Sequence, residues 1–107
     1  MLATTVAIAA FGWYLLTAEE PARPPTQAEM FVADLRGRQL PPSLRRTADD
    51  DLVALGERFC DALRRTGSSL EVVFQDQLAG RVYDGQSEVV TSARRHLCPE
   101  VPDRAAG

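Results

Sequence analysis

The sequence predicts an all-α fold: a small bundle of about four helices, closed by one disulfide and preceded by an N-terminal transmembrane helix. Three observations predict it. Apolar residues recur at three-and-four spacing in several runs bounded by capping residues and glycines. The chain has only two cysteines, Cys60 and Cys98, each at a place where two helices could meet. Residues 1–18, MLATTVAIAAFGWYLLTA, contain no charged side chain.

The N-terminal run makes a helix of about 27 Å, slightly short of a bilayer core of about 30 Å. Trp13 and Tyr14 stand near its end, where amphipathic aromatics mark the headgroup level. Cleavage by a signal peptidase wants small residues at the last and third-last positions. Leu16 and Glu20 spoil the two candidate sites after Ala18 and Ala22, so an uncleaved single-span anchor is expected, with secretion after cleavage as the alternative. The positive-inside rule conflicts with an exported domain, because the nearest basic residue, Arg23, follows the span. A natural start further upstream, with a basic segment, would remove the conflict. Residues 19–25, EEPARPP, form a stiff proline-rich spacer.

The first domain helix starts at Thr26, which forms a T-x-x-E capping box with Glu29, and presents Ala28, Phe31, Val32 and Leu35 inward. Gly37 lies near its end, and Leu40-Pro41-Pro42 is expected to turn the chain. The central helix, Asp51 to Arg65, carries Leu52, Leu55, Gly56, Phe59, Cys60 and Leu63 on one face. Asp49, Asp50 and Asp51 are expected to cap its N-terminus, since calcium loops space their carboxylates differently. Thr66-Gly67 ends it. Ser68 and Glu71 are a second capping box, opening a helix to about Ala79 with Leu70, Val73, Phe74 and Leu78 as its apolar positions. Asp84 or Ser87 caps the last helix, whose inner face is Val89, Val90, Ala93 and Leu97. Pro99 stops it, and residues 101–107 are expected to fray.

Gly56 and Cys60 are four apart and sit one above the other. A glycine in mid-helix costs roughly 1 kcal/mol against alanine, a cost that close approach of a second backbone would offset. In an oxidising compartment a Cys60–Cys98 disulfide is the best reading, against two free thiols or half of a metal site. In a domain of about 75 residues the core supplies only a few kcal/mol. A bridge of that span contributes about 4 kcal/mol at best.

Phe31-x3-Leu35, Gly56-x3-Cys60-x2-Leu63 and Val90-x2-Ala93-x3-Leu97-Cys98-Pro99, in that order, carry a family resemblance. The chain resembles the small actinobacterial envelope family catalogued as domain of unknown function number seven-three-two, common in mycobacteria. The resemblance covers about Gln27 to Pro99. It implies export and pairing of the two cysteines, and brings no catalytic residues. Leu97 departs from the aromatic residue the family often has before Cys-Pro.

The net charge of −3, with every strong base an arginine, disfavours nucleic acid and anionic lipid surfaces as partners. His96, the single histidine, is read as a solvated residue at a helix C-terminus. No phosphate loop, HExxH or GxSxG occurs, so neither an enzyme nor a cofactor nor a metal is expected. The expected function is that of a membrane-anchored extracytoplasmic interaction or accessory module, with an envelope or membrane protein as partner. The alternative is a small-ligand or lipid-binding domain whose cavity is lined by Phe31, Phe59, Phe74 and Tyr83.

Overall fold

The computed structural model describes residues 23–105. Five helices follow in order: α1 Gln27–Arg36, α2 Pro42–Arg45, α3 Asp49–Thr66, α4 Ser69–Leu78 and α5 Gln86–His96. The described residues contain no strand. No described helix is long and apolar enough to cross a membrane, and the expected anchor at residues 1–18 lies outside the described residues.

The first helix opens as expected. Thr26 Oγ1 accepts from the Glu29 N–H at 3.1 Å, and the Thr26 N–H donates to Glu29 Oε1 at 3.3 Å. The proline turn contains one more helix than expected. Pro42 takes the first position of the single-turn α2, where a missing N–H costs nothing. Leu40 and Leu44 thereby become buried.

The aspartates before α3 do not cap it. The N-cap is Ala48, without a side-chain cap, and Asp49, Asp50 and Asp51 occupy the first turn. There they face the positive end of the helix dipole. Asp49 instead receives Arg36 Nε at 2.9 Å and Nη2 at 2.6 Å. The same guanidinium donates to the carbonyls of Arg45 and Thr47, fastening the α2–α3 connection.

Helix α3 is the spine. Its buried stripe is Leu52, Gly56, Phe59, Cys60 and Leu63. Phe31 and Leu35 of α1 and Val89 and Ala93 of α5 close over it, all of them fully buried. Gly56 is required by close packing, but against side chains and not a second backbone. A methyl there would stand 2.5 Å from Leu97 Cδ1 and 2.8 Å from Phe31 Cζ. One turn on, Cys60 is bonded to Cys98 across a separation of 38 residues. The bridge therefore ties the middle of the spine to the end of α5.

Helix α5 begins at Gly85, not at a capping Asp84 or Ser87. Gly85 has φ +86, and an added Cβ would lie 2.5 Å from Leu44 Cδ1. Both the backbone conformation and the contact with α2 exclude a side chain.

The segment expected to fray is fastened. The Arg104 N–H donates to the Gly67 carbonyl at 2.9 Å, and its Nη2 donates to the Thr66 carbonyl at 2.7 Å. Asp103 Oδ1 accepts from the Ser69 N–H at 2.9 Å, and Oδ2 lies 3.1 Å from Arg94 Nε. Residues 101–105 thus latch the start of α4 to the end of α5.

Candidate functional site

Two polar clusters and two surfaces are the places where chemistry could reside. The first cluster joins α1 to α5. Asp34 Oδ2 accepts from Ser92 Oγ at 2.9 Å and from Arg38 Nη2 at 3.2 Å, and His96 Nε2 lies 3.2 Å away. His96 is therefore packed against a carboxylate, with its side chain 21% exposed, and is not the solvated residue expected. Ser, Asp and His in one cluster invite comparison with a catalytic triad. The wiring is wrong for one, because a triad places the base between nucleophile and acid. Here Asp34 stands between Ser92 and His96, and Ser92 is fully buried. Burial pushes the Asp34 carboxyl up, but the Ser92 and Arg38 hydrogen bonds outweigh it and hold the group below the usual aspartate range. The cluster is a brace between helices.

The second cluster is the latch at Asp103, whose side chain is only 4% exposed. Burial again raises its carboxyl. Hydrogen bonds from Ser69 and the Ala105 N–H, together with the Arg94 charge, bring it below the usual range. Its Oδ2 is buried, makes no hydrogen bond, and has the Arg94 guanidinium as its charge partner.

The first surface is the outer face of α4. Only Ser69 and Val72 of this helix are buried. Leu70, Phe74 and Leu78, expected to point inward, are 71%, 55% and 74% exposed, and Val82 just beyond is 52% exposed. At spacing i, i+4 and i+8 they form one stripe along about 12 Å of helix. Ser69 and Val72 are the residues turned inward instead, and Asp103 holds the Ser69 N–H at the start of the helix. Ser68 accepts from the Glu71 N–H at 3.4 Å, but the reciprocal half of the expected capping box is missing. Glu71 takes Gln75 Nε2 instead, at 3.3 Å.

The second surface is a cleft of about 210 Å³ between α3, α4 and the 81–86 segment. Of the four aromatics expected to line a cavity, it contains Phe59 and Tyr83. Phe31 is fully buried in the core, and Phe74 is on the outer face of α4. Val72 and Val90 complete the apolar floor, and Arg58, Arg65 and Arg81 stand around it. Asp76, also in the wall, accepts from Gln86 Nε2 at 2.8 Å and from Arg81 Nε at 3.3 Å. Burial raises the Tyr83 phenol above its ordinary value, opposed by the Arg58 charge. Of the charged residues of this cleft, the three arginines are not among the site residues expected from the sequence. The available signal was Arg58 and Arg65, seven apart on α3 and so on one face beside Phe59.

A family model described as "Protein of unknown function (DUF732)" matches residues 25–100. The chain belongs to the DUF732 family. No curated protein and no solved structure matches it. The DUF732 match takes in the five helices of the described residues and both bonded cysteines. It also takes in Gly56 with the two side chains that close over it, Phe31 and Leu97. Of the residues that carry the DUF732 resemblance, Phe31, Leu35, Gly56, Cys60, Leu63, Ala93 and Cys98 are buried, while Val90 and Leu97 pack at the edge of the core and Pro99 is exposed.

Proposed function

We propose that this DUF732 protein is an exported, membrane-tethered interaction module that presents the outer stripe of α4 to an apolar helix of an envelope protein. The stripe is the observation that carries this reading. Leu70, Phe74, Leu78 and Val82 are large apolar side chains held in water on a single small helix and the turn after it. Such a spacing is the form in which one helix docks on another. Beside the stripe α4 carries Glu71 and no base, while Asp76 faces the cleft and is paired with Arg81. A second copy would bring the same glutamate against itself, and an anionic lipid surface would repel it. A partner helix with an apolar stripe flanked by lysine or arginine is complementary. Export is supported by the Cys60–Cys98 bond, which persists in oxidising compartments. Tethering is supported by the uncharged run at residues 1–18.

Photo-crosslinking in intact cells tests the proposal. A photoreactive residue in place of Phe74 should give a discrete adduct that maps to such a helix, while the same residue in place of Asp50 should not. Leu70→Glu with Leu78→Glu should abolish the adduct. Adducts confined to lipid or to another copy of this chain contradict the proposal.

A further inference from the structure

We propose that the cleft between α3, α4 and the 81–86 segment is a binding site for a small aromatic or short-chain organic anion, its charge on Arg58 and Arg65 and its apolar body against Phe59, Val72 and Tyr83. This site lies on the opposite side of α4 from the docking stripe and does not depend on it. The charged groups that line the cleft differ in how they are paired. Asp76 is satisfied by Arg81 and Gln86, so that carboxylate and that guanidinium are committed to each other. Arg58 and Arg65 enter none of the ion pairs among the described residues. Both line the cleft all the same. A partly apolar cleft whose lining includes two guanidiniums outside any ion pair suits a carboxylate on an apolar body. Phe59 and Tyr83 supply faces on which a ring can stack.

The size sets the ligand class. A cleft of about 210 Å³ is below the range of drug-sized pockets, about 300–1,000 Å³. A single ring or a short acyl chain fits, and a membrane lipid with two long chains does not.

The test uses the full-length oxidised chain, titrated with benzoate, with hexanoate, and with benzyl alcohol as the neutral isostere of benzoate. Binding is read from the NMR signals of Val72, Tyr83 and Val90. Saturable shifts with benzoate or hexanoate are expected. Benzyl alcohol should bind at least tenfold more weakly than benzoate. Arg58→Gln with Arg65→Gln should weaken anion binding at least tenfold and leave thermal unfolding unchanged, because both side chains are at the surface. Arg45→Gln with Arg46→Gln, outside the cleft, should leave the affinity within twofold. No saturable shift with either anion would overturn the proposal, as would equal affinity for benzyl alcohol. An arginine double variant that binds within twofold of the parent would also overturn it.

Discussion

The frame made by α1, α3 and α5 and the peripheral helix α4 are built on different terms. In the frame, Phe31, Leu35, Leu52, Leu63, Val89 and Ala93 are all fully buried, and Cys60–Cys98 bonds two of its members. The Asp34 cluster braces the third. Helix α4 buries only Ser69 and Val72, packs chiefly on α3, and is held at its start by the Asp103 latch. The contrast shows where so small a chain concentrates its stability. It also shows why an apolar stripe can be left in water on α4, where the core does not need those side chains.

Removing the bridge should break the frame most severely. Cys60→Ala with Cys98→Ala is expected to cost about 4 kcal/mol from the lost constraint on the unfolded chain, measured as a fall in the urea midpoint with a steeper slope, because the unfolded chain without the cross-link exposes more surface. Gly56→Val comes next. Its side chain must displace Phe31 and Leu97, and overpacking of this kind costs about 2–3 kcal/mol; thermal unfolding will show it.

Asp103→Ala acts on the join between the two regions. It leaves the Ser69 and Ala105 N–H groups without their acceptor and Arg94 without its partner, a loss of about 2 kcal/mol. Limited proteolysis should then cut first near residues 101–105. The same carboxylate gives a pH dependence of defined sign. Its folded value is lowered, so the folded chain binds fewer protons than the unfolded chain in the interval between the two values. The stabilisation is complete above the ordinary 3.8 and is lost as pH falls through the lower folded value. Asp34 adds a contribution of the same sign. Stability measured from pH 7 downward should therefore drop below about pH 4, and less steeply in Asp103→Ala. The smallest effect belongs to α4 itself. Phe74→Glu should change stability by less than about 0.5 kcal/mol, seen as a superimposable melting curve.

Much of the frame was legible because its signals are local. The Thr26–Glu29 box, the end of α3 at Gly67, and the Gly56–Cys60 register follow from residues three or four apart. What escaped depends on distant partners. His96 looked solvated because nothing near it in sequence announces Asp34. Asp49 looked like a cap because Arg36, on the preceding helix, claims it only after folding. The spacing in α4 identified an apolar face correctly and its direction wrongly, since periodicity gives a face but not what it faces. The buried residues of α4 are Ser69 and Val72, and the carboxylate that holds the Ser69 N–H comes from Asp103, 34 residues further on. The cleft escaped for a related reason: Arg58 and Arg65 read as an exposed helix face until Tyr83 and Asp76 stand opposite them.

Helix-resolved hydrogen exchange on the oxidised full-length chain tests the division between frame and α4 most directly. Amides in the middle of α3 and α5 should exchange only through global unfolding, and reduction of the bridge should speed them by about the thousandfold that 4 kcal/mol represents. Amides of α4 should exchange at least tenfold faster than those of α3 in the oxidised chain, through local opening. Equal protection of α4 and α3, lost together on reduction, would mean a single cooperative block and would contradict the picture of a clasped frame carrying a lightly held docking helix.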